Sequence, residues 1–261
     1  MAASFQLFCA SSSDDACQWV GLWREWSARE VFAHPAYVSL YAGPHARPMC
    51  AFGEYGGVRI LYPFLLRDLT VEPFWLKDLP DAADLTSAYG YGGPFAWGEG
   101  DRIAAIAWFW KQLHAWARKQ NVVSELIRFA LFHEARSVYP GCCETPLDNV
   151  VRNLDCDEGA LWRDYEYKVR KNVKRAVQEQ VTIETDGTGV RLEEFFDIYS
   201  ETMTRRGAEE RYYLPRSFFE RLHAGLRGQY QYFHAVHAGN VVSTELVLVS
   251  EENLYSFLGG T

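Results

Sequence analysis

The sequence predicts an α/β (α+β) protein assembled from two copies of one unit, with mixed, mostly antiparallel sheets flanked by helices. Three observations carry that expectation. The hydrophobic period switches repeatedly between two and about 3.6 residues, so strands and amphipathic helices follow one another. Each half holds a strand, a Gly-containing hairpin turn and a return strand, the turns being Tyr55-Gly56-Gly57 and Ala238-Gly239-Asn240. Each half then reaches a Tyr closely followed by Gly-Gly: Y-G-Y-G-G from Tyr89 to Gly93 and Y-S-F-L-G-G from Tyr255 to Gly260.

Composition bounds the rest. With 261 residues, 48% of them hydrophobic, the chain can bury a core in one large or two small domains. Its 26 Lys+Arg against 34 Asp+Glu give a net charge of −8, which argues against broad nucleic-acid binding. The six Cys form no C-x-x-C pair, and no His cluster stands at metal-ligand spacing. Reduced, buried thiols, no metal and a cytoplasmic location are expected. The N-terminus, M-A-A-S-F-Q-L-F-C-A, lacks the basic start of a secretory leader. The apolar window Ile103 to Trp110 is too short to cross a bilayer. No integral membrane segment is expected, and any membrane association is peripheral.

Taken in order, Ser13-Asp14-Asp15 resembles a helix start, and Cys17 to Ser27 continues as a Trp-rich helix stopped by His34-Pro35. Ala36 to Tyr41 is a short element of open type. Arg47 to Phe52 and Val58 to Leu66 read as paired strands. Asp68 to Ala88 reads as loop around Pro73 and Pro80. Asp101 to Gln120 keeps helical spacing through Ile103, Ile106, Trp110 and Leu113. Ser124 to His133 reads as a buried strand. Ser137 to Asp155 reads as loop around Pro140 and Pro146, with a short strand near Val150. Asp155 to Gly159 is the candidate boundary, giving domains 1–157 and 158–261. Beyond it come a helix from Tyr165 to Gln180, a strand from Val181 to Thr185 and a turn at Gly187 and Gly189. Helices follow over Leu192–Arg206 and Pro215–Leu226. Three strands close the chain, Gln229–His237, Val241–Val249 and Leu254–Leu258. A bare strand edge at Thr261 implies that the second unit is incomplete or that a partner covers it.

The helix from Tyr165 to Gln180 is a basic exception in an acidic chain. Val169, Val173, Ala176 and Val177 form an apolar stripe, flanked by Lys168, Arg170, Lys171, Lys174 and Arg175. Such density suits an anionic ligand, phosphate first, or else a solvated face. In S-A-Y-G-Y-G-G-P, the residues Tyr89, Gly90, Tyr91, Gly92 and Gly93 fix an unusual backbone path. They either admit a ligand close to the backbone or simply turn the chain at a strand end.

The Y-G-Y-G-G-P stretch, K-V-R-K-N-V-K-R-A, F-x-x-I-Y-x-E-T-M-x-R-R from Phe195 to Arg206, R-Y-Y-L-P from Arg211 to Pro215, and the closing L-Y-S-F-L-G-G-T resemble the FemAB-like proteins of the GNAT acyltransferase superfamily. The resemblance runs from about Tyr37 to Thr261. It implies tandem GNAT-like domains, the second partial. It also implies transfer of an acyl or aminoacyl group to an amine of a peptidoglycan or polysaccharide precursor, small or lipid-linked. The implied co-substrate is acyl-CoA or aminoacyl-tRNA, with no covalently bound cofactor. In tRNA-dependent relatives a basic residue of the matching helix lies near the precursor's phosphates. Arg170 is the position that matches it, with Lys174 one turn on. The resemblance implies that relatives continue past G-G-T with segments that hold catalytically important residues, which leaves the catalytic residues open.

Acyl transfer to an amine needs a phosphate grip, an oxyanion donor and a route for the amine proton. Arg170, Lys171, Lys174 and Arg175 are the phosphate candidates. Tyr212 and Tyr213 either donate to the oxyanion or pack beside Phe218 and Phe219. Arg205 either contacts ligand or, with Arg206, complements a helix C-terminus. Thr202 is expected to bond the preceding helical turn. Chemistry in a cleft between the halves, with a structural first half, fits this set. Two other classes stand beside the acyltransferase: a non-catalytic, degenerate binding protein that keeps the anion site, and a carbohydrate binder using the nine Trp.

Overall fold

The computed structural model describes residues 3–76, 78–132, 134–145 and 147–261. The strand end expected at His133 and the loop breaker Pro146 lie outside the described residues. The chain divides into two compact units that are discontinuous in sequence. The first comprises Met1–Cys143, Glu220–Gln229 and Val249–Asn253, and the second Glu144–Phe219, Tyr230–Leu248 and Leu254–Thr261.

The first unit is a mixed sheet of six strands: β1 (Ser4–Cys9), β2 (Ala46–Tyr55), β3 (Val58–Asp68), β4 (Ala83–Thr86), β5 (Phe95–Gly98) and β6 (Val122–Leu126). The order is β1-β2-β3-β4-β6, with β5 on β3; all pairs are antiparallel except β4 with β6. The parallel pair is joined through α3 (Arg102–Lys119). Strand β3 is buried on both faces and explains how the layers form. Ile60, Tyr62 and Phe64 pack with Ile106, Phe109 and Leu113 of α3. Leu61 and Leu65 point the other way, to Trp19 and Trp23 of α1 (Ser13–Glu25) and to Trp26. Ser12 caps α1, and α2 (Pro35–Leu40) begins at the His34-Pro35 pair. The His34-Pro35 pair does not stop the Trp-rich helix, which ends at Glu25 with Trp26 as its cap; Pro at the first helical position and the His34 ring as cap make the pair the start of α2 instead.

The second unit carries α4 (Glu158–Asp164), α5 (Tyr167–Gln178), β7 (Thr182–Asp186), α6 (Leu192–Arg206), β8 (Tyr230–His237), β9 (Asn240–Val249) and β10 (Leu254–Gly260). Helix α7 (Arg216–Gly225) begins in this unit. The sheet order is β10-β9-β8-β7, and β7–β8 and β8–β9 are antiparallel. Strand β8 alternates cleanly, burying Tyr230, Tyr232, His234 and Val236. An aromatic core forms where Phe195 of α6 meets Phe219 at 5.1 Å and Tyr232 at 4.9 Å between ring centres. Helix α6 buries Leu192, Phe195, Tyr199 and Thr202, and ends on Gly207 at φ +59, a left-handed cap that suits glycine.

Several elements depart from the sequence reading. Ser4–Cys9 is a strand, registered from Ser4 opposite Glu54 to Cys9 opposite Met49. The loop expected over Asp68–Ala88 contains β4, and Phe95–Gly98 adds β5. Strand β6 is short and largely exposed rather than a buried strand reaching 133, and residues 147–155 hold no strand near Val150. The basic helix begins at Tyr167, after a separate short α4, because Tyr165 and Glu166 take extended backbone. Of the cysteines only Cys50 is fully buried; Cys17, Cys142, Cys143 and Cys156 are exposed.

Candidate functional site

Helix α5 buries none of its residues. Between Tyr167 and Gln178 it holds five cations and no acid, so its field is positive along its whole length. The cations are not equivalent. Arg170 donates to the Arg163 carbonyl at 2.7 Å. Arg175 pairs with Glu179 at 2.8 Å, one turn on, and that bond raises its pKa. The side chains of Lys171 and Lys174 have no hydrogen bond or ion pair among the described residues. Of the four phosphate candidates, two are engaged by the protein's own acceptors and two are uncommitted.

The other candidates of this unit lie after α6. Arg205 donates to the Thr261 carbonyl at 2.5 Å. Thr202, expected to bond its own helix, instead exchanges hydrogen bonds with the Thr261 backbone at 3.1 and 3.3 Å. Its hydroxyl turns that way because Gly260 brings β10 onto α6. A Cβ on Gly260 would stand 2.8 Å from Thr202 Oγ1 and 2.9 Å from the Ile198 carbonyl. Tyr212 and Tyr213 are 38% and 44% exposed, so each keeps part of its ring in solvent. The ring of Tyr199 contacts Phe219, and its hydroxyl donates to the Tyr212 carbonyl. The Tyr212 ring faces the Arg211 guanidinium at 5.1 Å.

Three polar groups of this unit escaped the sequence reading. Asp186 accepts from the backbone N–H groups of Thr188, Gly189 and Arg191 and from the Thr188 hydroxyl. Burial pushes its pKa up, but these bonds outweigh burial and hold it below the usual carboxylate range. Its work is to anchor the chain entering α6. His234 is buried, stacks on Tyr232, and shares a 2.9 Å hydrogen bond between Nδ1 and the Thr244 hydroxyl. Its Nε2 has no partner among the described residues, and burial lowers its pKa. Glu245 on β9 receives the Ser256 hydroxyl of β10, and a Cβ on Gly259 would collide with its carboxylate. The signal was present: a carboxylate inside the otherwise apolar run T-E-L-V-L-V, with Gly-Gly on the strand beside it.

The Y-G-Y-G-G loop belongs to the other unit. Gly90 has φ +95, and a Cβ there would meet Phe32 at 2.6 Å. Gly92 exchanges backbone hydrogen bonds with Arg128 and Ala130, which extends the parallel pairing of β4 with β6. Tyr37 donates to the Tyr89 carbonyl at 2.7 Å, the Tyr91 ring packs edge-on to Phe32, and a Cβ on Gly93 would meet Phe129 at 2.9 Å. These glycines admit neighbouring side chains of the fold itself. The structure thus divides the candidates: Arg170, Lys171, Lys174, Arg175, Arg205, Tyr212 and Tyr213 in one unit, Tyr89 to Gly93 in the other.

Among the described residues, no His, Cys, Asp or Glu side chains gather in threes as a metal site, and no helix is long and apolar enough to cross a membrane. Against known families, residues 163–261 match the model described as an acetyltransferase (GNAT) domain. That span begins just before α5 and contains β7, α6, α7 and the three-strand meander. It supports the GNAT superfamily for this part of the chain, and with it a transferase of the acyl-transfer class. No curated protein matches the chain.

Proposed function

We propose that the protein is an acyltransferase of the FemAB type, moving an acyl or aminoacyl group onto an amine of a cell-envelope precursor in the cytoplasm. The observation that carries the proposal is the meeting of a GNAT-type match with an exposed, acid-free basic helix at its start. In this account Lys171 and Lys174 grip the precursor's phosphates, and Arg170 sets the helix start through the Arg163 carbonyl. Acyl-CoA is the first co-substrate to test, and aminoacyl-tRNA the second. A neutral amine attacks the acyl carbonyl directly, the C–N bond forms, and the tetrahedral intermediate collapses by breaking the C–S bond to coenzyme A, which leaves as the thiol (or the ester C–O bond to the tRNA ribose); no covalent enzyme intermediate is required. Glu245 accepts the amine proton, and the exposed Tyr212 and Tyr213 hydroxyls supply hydrogen bonds to the developing oxyanion.

A thermal-shift series tests the binding half of this account. Ligands that bind the folded state raise the melting temperature by mass action. Acetyl-CoA and a UDP-linked muropeptide precursor should each raise it, and Lys171→Ala with Lys174→Ala should abolish the shift with the precursor. A basic helix that merely faces solvent would give the same shift in the wild type and the double variant.

A further inference from the structure

In the first unit the described residues line an open cleft with a volume of about 450 Å³, within the range of small-ligand sites. It lies where β2 starts, β3 ends and α3 stops. Leu66 and Ala82 line it as buried apolar residues. Arg47 and His45 stand on its wall together with Asp68 and Asp81. The Arg47 side chain has no hydrogen bond or ion pair among the described residues. Arg67 also lines the cavity, but its guanidinium fork is held by Asp84. Asp68 accepts the Thr70 N–H and hydroxyl through Oδ1, which among the described residues leaves its Oδ2 and Asp81 as carboxylate oxygens open to a ligand. Carboxylate oxygens and an uncommitted cation lining the same cleft suit a head that carries both an anion and an ammonium group.

A second observation concerns the segment that holds residues 71–76 and 78–80. Its base is closed by the Leu69 N–H donating to the Ala82 carbonyl at 3.0 Å, and Thr70 and Asp81, which bracket it, line the cavity. Within it Phe74 is 69% exposed and Leu76 62%, and Val71 and Leu79 are also exposed. The Trp75 N–H donates to the Glu72 carbonyl and the Leu79 N–H to the Leu76 carbonyl. The Trp75 indole N–H is buried and has no acceptor among the described residues. Exposed apolar residues in a stretch of chain whose two ends line the cleft offer a nonpolar surface to a ligand bound there.

We propose that this cavity binds the zwitterionic head of an amphiphile, anion toward Arg47 and ammonium toward Asp68 and Asp81, with the hydrocarbon chain lying on Phe74 and Leu76. The site is independent of the acyl-transfer assignment. Calorimetric titration with dodecylphosphoethanolamine below its micelle concentration tests it. One-to-one binding is expected, weakened at least about tenfold when the probe lacks the ammonium (dodecyl phosphate), the phosphate (dodecylamine) or the chain (phosphoethanolamine). Arg47→Ala, Asp81→Asn and Phe74→Ser, all at exposed positions, should each cost about tenfold with unchanged melting temperature. Any truncated probe binding as tightly as the whole would overturn the proposal. So would wild-type affinity in both Arg47→Ala and Phe74→Ser, equal binding of dodecyl maltoside, or binding only to micelles or vesicles.

Discussion

His34 makes the stability of the first unit depend on pH in a direction and over a window that can be worked out. Its Nδ1 accepts the Ala36 N–H at 3.1 Å and so caps α2, while its ring meets Trp23 edge-on at 4.7 Å. Only the ring with an unprotonated Nδ1 can accept that bond. Burial first, and Arg24 second, push its pKa down from 6.5 to about 4. A depressed histidine pKa means that the unfolded chain takes up the proton first. Stability is therefore full above pH 6.5, falls as pH drops from 6.5 toward 4, and levels off below that. A shift of this size corresponds to about 3 kcal/mol in all, of which about 2 kcal/mol is lost by pH 5. His34→Asn keeps a good helix cap but does not titrate. Eight of the nine Trp lie within residues 1–143, so their fluorescence follows this unit during denaturant unfolding. The wild type should lose about 2 kcal/mol relative to the variant between pH 7 and pH 5. Parallel stability curves for the two proteins would refute the assignment.

Other consequences follow from the same contacts. Asp186→Ala removes the acceptor of four hydrogen bonds at the entry to α6, and should destabilise the second unit by about 3 kcal/mol, read by circular dichroism melting. Because Asp186 is held below its usual range, its contribution is present above about pH 4 and disappears as pH falls further. Gly90→Ala combines a left-handed backbone with a Cβ 2.6 Å from Phe32, and should cost about 2 kcal/mol or more in denaturant unfolding. Glu245→Gln should lower kcat at least about a hundredfold in an acyl-transfer assay while leaving KM for the acyl donor unchanged. Arg175→Ala, which removes a surface pair with Glu179, should leave precursor affinity within about twofold of wild type, in contrast to the lysine pair.

Much of the architecture was legible because period and punctuation agreed. Helix α6 runs from Leu192 to Arg206 as its stripe of Leu192, Phe195 and Tyr199 dictates, and Gly207 ends it. The hairpin of β2 with β3 follows from Gly56-Gly57 between two apolar runs. The elements that were missed depend on partners remote in sequence. Ser4–Cys9 is a strand because residues 49–54 pair with it, about 45 positions away. The four-residue strands β4 and β5 are too short for any period to register, and both are fixed by β3. The basic character of α5 was plain in the sequence, but which of its cations are free was not. That depends on the Arg163 carbonyl and the Glu179 carboxylate, each set by local geometry. Glu245 was hidden for another reason: only the pairing of β9 with β10 brings Ser256 and Gly259 beside it.

The most direct test of acyl transfer is mass spectrometry of the acceptor after incubation with acetyl-CoA and a UDP-linked muropeptide precursor. The account predicts a product heavier by one acetyl group, release of free coenzyme A in equal amount, and loss of both in the Lys171→Ala, Lys174→Ala double variant. An unchanged acceptor, or a product formed equally well by the double variant, would contradict it.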